Sequence, residues 1–183
     1  MTKGIDVSTW QGKIDWKQVK GAGIHYAILR SSFGSPDPSQ VDNQFKNNYK
    51  GAKAAGISVG AYHYGYAVSE AEARQEARFF LDTIKGKQFE YPVYYDVEDN
   101  GTMGTLSRQA LTNVIKAFCS VVEKAGYYVG VYVSLSWLSF SLYNSAPLPF
   151  SPSIVAAAGY PDKPAHLLYR VFLPTPINRQ VLH

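Results

Sequence analysis

A chain of 183 residues has the length of one domain, enough to bury about 70% of the surface its unfolded form exposes. Its composition, 46% hydrophobic and 17% charged, excludes a disordered chain, and no apolar stretch is long enough for a transmembrane helix. The net charge of +4 comes without any run of five or six basic residues, which argues against nucleic acid as a partner, and a lone cysteine, Cys119, excludes an internal disulfide.

The first residues, Met1-Thr-Lys-Gly-Ile-Asp6, lack the apolar segment of a signal peptide, so the expectation is a protein made in the cytoplasm without one. Short apolar runs then alternate with helical patterns. Gly4–Ser8 is a first strand, Asp15–Gly21 a short helix, and His25–Arg30 a second strand. Asn43–Ala55 is a second helix and Val59–Tyr66 a third strand. The third helix, Ser69–Ile84, opens on Ser69-Glu-Ala-Glu72, the pattern of a reciprocal capping box. Pro92–Val97 is a fourth strand, Ser107–Lys124 a fourth helix, Tyr128–Val133 a fifth strand and Ser136–Tyr143 a short fifth helix. Beyond these lie a possible sixth strand, Ser153–Ala158, and a weak candidate at Leu167–Leu173.

One joint recurs where helix gives way to strand: Ala22-Gly23-Ile24, Ala55-Gly56-Ile57 and Ala125-Gly126-Tyr127. A glycine there takes the left-handed conformation that ends a helix before the chain turns. Repeated βα units imply a parallel sheet, and no glycine-rich phosphate loop follows the first strand to favour an open nucleotide-binding fold. The expected fold class is therefore α/β, a (β/α) barrel related to the TIM barrel.

The pattern changes after about Ala146. The last 37 residues hold seven of the ten prolines but only one glycine, Gly159, and one acid, Asp162. Such sequence builds barrel strands and tight joints poorly. We therefore expect residues 1–146 to form the barrel core and 147–183 to be an atypical segment of the same domain, with the barrel irregular or incomplete at its C-terminal strands.

The sharpest chemical signal is Tyr91-Pro-Val-Tyr-Tyr-Asp-Val-Glu-Asp99. Residues i and i+2 of a strand face the same way, so Asp96 and Glu98 project together with Cβ atoms roughly 6–7 Å apart. Two carboxylates on that scale can share acid and base work at one glycosidic bond, and each raises the other's pKa. The C-terminal ends of barrel strands are where such chemistry resides. Asp6 ends the first strand and faces the same mouth, unless it only caps the turn at Ser8–Gln11. In Ala61-Tyr-His-Tyr-Gly-Tyr66, Tyr62 and Tyr64 share one face and His63 takes the other, as a core or helix-facing histidine. Tyr132 is a third aromatic candidate for the mouth, and Trp137 lies just beyond it. A metal site of Asp96, Glu98, Asp99 and His63 is disfavoured because Asp99 points away from Glu98, and no metal or cofactor is expected.

Taken together, Gly4-Ile-Asp-Val-Ser-Thr-Trp-Gln-Gly12, Ile28-Leu-Arg-Ser-Ser-Phe-Gly34, Gly60-Ala-Tyr-His-Tyr64, Tyr95-Asp-Val-Glu98 and Gly130-Val-Tyr-Val-Ser134 resemble the family 25 glycoside hydrolases, the Chalaropsis-type lysozymes. The resemblance runs from about residue 3 to 145. It implies a muramidase that cleaves the β-1,4 bond from N-acetylmuramic acid to N-acetylglucosamine with retention. By position, Glu98 matches the family's general acid/base, Asp96 its partner carboxylate and Asp6 its first-strand acid. Whether the partner attacks the sugar or assists the substrate's acetamido group stays open. Tyr62 and Tyr132 match sugar-contacting positions. The implied partner is wall peptidoglycan, met by a monomer after release from the cell, with no nucleic acid and no membrane insertion. The family's last strands, a Trp-x-Ala-Gln-like segment, a Trp-Gln-Tyr segment and a Val-Asp-x-Asn-like one, are only faintly echoed at Ser153-Ile-Val-Ala-Ala157 or absent. The alternative expectation is thus an inactive wall-binding or defective fragment of such an enzyme.

Overall fold

The computed structural model describes residues 3–134, 155–158 and 169–171. Chain order is β1 (Lys3–Val7), α1 (Trp16–Gly21), β2 (Ile24–Phe33), α2 (Phe45–Ala54), β3 (Ser58–Tyr64), α3 (Glu70–Ile84), β4 (Val93–Asp96), α4 (Arg108–Lys124), β5 (Val129–Ser134), β6 (Val155–Ala158) and β7 (Tyr169–Val171). The sequence-predicted fifth helix and Trp137 lie outside the described residues.

The strands form one sheet in sequence order. β1 to β6 pair in parallel, each with the next. β7 then returns antiparallel on β6. Among the described residues no ladder joins β7 to β1, so the described sheet is unclosed, consistent with the barrel expected to be irregular or incomplete at its C-terminal strands. The three repeated joints work as read. Gly23, Gly56 and Gly126 have φ of 80°, 68° and 88°, values that a side chain strongly disfavours.

Alternation along each strand sorts residues into two environments. The outer face meets the helices in a continuous core: Val59 and Ala61 of β3, Val93 and Tyr95 of β4, and Val129 and Val131 of β5 pack with Phe80, Ile115, Phe118 and Val122. Tyr95 stacks on Phe118 with ring centroids 3.8 Å apart. Cys119 is buried with them, and burial pushes its thiol up to about 12, so it stays protonated and inert. The inner face carries a smaller cluster of Ile28 and Tyr94 with Tyr26, Tyr62, Tyr91 and Tyr132 against it.

The opening of α3 differs from the expected box in one half. Ser69 Oγ accepts from Glu72 N–H, but Glu72 Oε2 accepts from Val68 N–H, not from Ser69. A complete capping box forms instead at Ser8 and Gln11, directly after β1.

Candidate active site

β4 is four residues long and buried throughout. Val97, just past its end, sinks into the helix-side core, so Asp96 and Glu98 on either side of it belong to the inner face. The backbone is pinned on both flanks there. Val97 N–H donates to Tyr132 O and Gly65 N–H donates to Asp96 O, each at 2.9 Å. The carboxylates thus stand on a backbone that cannot drift from its neighbours.

Asp96 is 6% exposed, and its Oδ1 has no hydrogen-bond partner. Burial pushes its carboxyl well above the usual range, the charges of Glu98 and Asp6 push it further, and Arg30 pulls it back. The same influences show that the inner ends of β1, β2 and β4 converge on one point. Glu98 itself is partly buried at the rim. Asp6 lies on β1 opposite Ile28 of β2, and Ser8 caps the turn that follows.

The three predicted tyrosines gather around the acids. Tyr64 and Tyr132 stand directly across from Asp96 on the two neighbouring strands. Burial raises the Tyr62 phenol well above its ordinary value, with Asp96 and then Asp6 adding to the effect. Tyr64 is raised by burial first, then by Asp96, Asp99 and Glu98. Both hydroxyls therefore remain protonated donors at any working pH. Asp99 turns away: its Oδ1 accepts from Thr102 N–H and Thr102 Oγ–H at 2.8 Å each. His63 points to the helices, between Phe80 and Phe118. Among the described residues no group of three or more His, Cys, Asp and Glu side chains could hold a metal ion.

Two groups that frame the site are absent from the sequence reading. Asp42 is buried and accepts from Arg30 Nε at 2.8 Å, Thr9 N–H at 2.8 Å and Gln44 N–H at 2.9 Å. It ties the ends of β1 and β2 together. Arg30 carries a signal in hindsight, as a lone arginine inside the apolar run Ala27-Ile-Leu-Arg30.

The second group is Glu76 of α3, 3% exposed. One oxygen accepts from Tyr66 N–H at 2.9 Å and the other from the Tyr95 hydroxyl at 2.8 Å. His63 Nε2 lies 3.6 Å from that second oxygen, while Nδ1 is 2.9 Å from Ser32 Oγ. Glu76 thereby holds the loop after β3 onto α3. Removing it strands two donors, each at a cost of about 1–3 kcal/mol. Glu76→Ala is expected to shift the urea unfolding midpoint down accordingly; a loss under about 0.5 kcal/mol would contradict this account.

Residues 5–158 match the model of the glycosyl hydrolases family 25. The chain is 35% identical over 127 residues to the uncharacterized protein YegX of Escherichia coli O157:H7, covering 67% of this chain and 44% of that protein. It is 33% identical over 143 residues to the autolytic lysozyme of Clostridium acetobutylicum, covering 78% of this chain and 41% of the lysozyme. The chain thus spans less than half the length of these curated relatives. A family GH25 lysozyme from Aspergillus fumigatus superposes with a TM-score of 0.71, covering 96% of this chain and 95% of that one at 19% identity, which shows the shared fold. The matched segment contains the whole inner face described above, from Asp6 through Asp96 and Glu98 to Tyr132, and on that match the chain belongs to the glycosyl hydrolases family 25.

Proposed function

We propose that this protein is a peptidoglycan hydrolase, an N-acetylmuramidase cleaving the β-1,4 bond between N-acetylmuramic acid and N-acetylglucosamine with retention. The observation that carries the reading is the buried Asp96 carboxyl, with its Oδ1 unpartnered, beside Glu98 and Asp6 at one end of a parallel sheet. Relatives named as lysozymes support it.

In this reading Glu98 is the general acid. Its proton passes to the glycosidic oxygen as the bond from that oxygen to the muramic acid C1 breaks. Asp96 supports the positive charge that develops, either by bonding to C1 or by holding the substrate's acetamido group as that group does so. Water then adds at C1 and returns a proton to Glu98. The crowding of acids favours keeping one proton within the Asp96–Glu98 pair, and such pairs divide acid and base roles. Asp6 helps hold the site's charge, and Tyr62, Tyr64 and Tyr132 bind the sugars through ring faces and hydroxyls.

The protein acts as a monomer on the bacterial wall. It binds no nucleic acid. No described helix is long and apolar enough to cross a membrane. The edge at β7, without a further strand among the described residues, favours a second reading, a wall-binding or defective barrel, since unpaired strands invite aggregation. One experiment separates the readings. Purified peptidoglycan is incubated with the protein, reduced with borohydride and hydrolysed. Muramitol supports the muramidase; glucosaminitol alone, or no new reducing end, overturns it.

A further inference from the structure

Next to the acids, at the ends of β1, β2 and β3, lies a cleft of about 480 Å³. Arg30 and Asp42 contribute to its lining, and Trp10, Phe33, Tyr64 and Tyr66 are its aromatic walls. Trp10 is 83% exposed, an indole presented with little protein around it.

Arg30 is anchored as a ligand-binding arginine would be. Its side chain is 12% exposed, and its guanidinium lies over the Phe33 ring at 5.2 Å. Nε donates to Asp42, and among the described residues that is the one hydrogen bond the guanidinium makes. Asp42 also accepts from the two backbone N–H groups of Thr9 and Gln44. Neither Nη group bonds to another described residue, and neither is a sealed, unsatisfied donor, so the fork of Arg30 is available to the cleft that it lines. The planar fork of an arginine matches a carboxylate, which accepts two parallel N–H bonds.

We infer that this cleft is a carboxylate-binding subsite, in which Arg30 grips an acid group of the glycan strand while Trp10 and Tyr66 flank the attached sugar or peptide. This rests on the reading of peptidoglycan as substrate. Two acids of that polymer have the required chemistry: the lactyl carboxylate of a peptide-free muramic acid, and a carboxylate of the stem peptide. Both are absent from chitin-type oligomers of N-acetylglucosamine. Arg30 is thus a specificity residue that separates muramyl strands from neutral ones. Its hold on Asp42 also keeps the cleft's floor in place.

The test is isothermal titration in a Glu98→Gln background, which stops turnover. The ligands are a peptide-free tetrasaccharide of alternating N-acetylglucosamine and N-acetylmuramic acid, the same strand with stem peptides, and chitotetraose. Arg30→Gln and Arg30→Lys are compared with the unsubstituted arginine. The lysine keeps a cation for Asp42, so the fold persists even where the glutamine variant loosens it, but it cannot form a fork. Both variants are expected to lose roughly tenfold or more in affinity for muramyl ligands and less than about twofold for chitotetraose. A loss on the peptide-free strand assigns the lactyl carboxylate; a loss confined to the peptide-bearing strand assigns the stem. Equal losses on all three ligands, no loss on either muramyl strand, or no muramyl binding at all would overturn the subsite. Hydrolysis by the unsubstituted protein, read separately by muramitol release, tells that failure apart from failure of the proposed function.

Discussion

Glu98→Gln is expected to lower the turnover of peptidoglycan by about 10²–10⁴-fold, the range that general acid help supplies. The substitution keeps the size and hydrogen-bonding capacity of the side chain but removes the proton that the leaving oxygen needs. Binding should therefore change far less than kcat. The variant should also lose the alkaline fall of the rate profile, since no proton remains there to be lost. Reducing-end kinetics across pH measure both effects. Turnover above half that of the unsubstituted protein would remove Glu98 from the acid's role.

Asp96→Asn should be nearly as damaging to hydrolysis, yet it should stabilise the fold at neutral pH. The reason is the direction of the native pKa. Asp96 is raised well above its ordinary value, chiefly by burial. An unfolded aspartate titrates near about 3.9. Between that pH and the raised native value the folded state binds the extra proton, so stability falls as pH rises through this window. Below it both states are protonated and no penalty is felt. Asparagine carries no charge at any pH and escapes the penalty. Thermal unfolding should show a higher Tm for Asp96→Asn at pH 7, with the gap closing towards pH 4. A lower Tm for the variant at pH 7 would mean that the carboxylate is stabilising where it lies. Burial without a donor to Oδ1 argues for the opposite, a group kept at a cost to stability because the chemistry needs it.

The carboxylate pair was legible in the sequence because strand alternation is local: Tyr95 and Val97 are apolar and face the helices, so Asp96 and Glu98 must face inward. The three Ala-Gly joints were legible for the same reason, since a positive φ is a property of one residue. Tyr62 and Tyr64 opposite His63 followed from the same two-residue period. What escaped was contact across long separations. Asp42 meets Thr9, 33 residues away, and Tyr95 meets Glu76 across 19, and neither pairing leaves any periodic trace. The partner of Glu72 was missed at short range, because Val68 and Ser69 both offer an N–H at a helix start and only geometry chooses between them. The antiparallel return of β7 was beyond reach too, since a three-residue strand, Tyr169–Val171, carries no signal of direction.

The central claim is that Asp96 and Glu98, at the end of β4, cut the muramyl bond. Its most direct test is mass spectrometry of purified peptidoglycan after incubation with the protein, beside its Glu98→Gln variant. The account predicts soluble fragments ending in reducing N-acetylmuramic acid from the unsubstituted protein and none from the variant in the same time. Fragments of that kind from both proteins, or from neither, would contradict it.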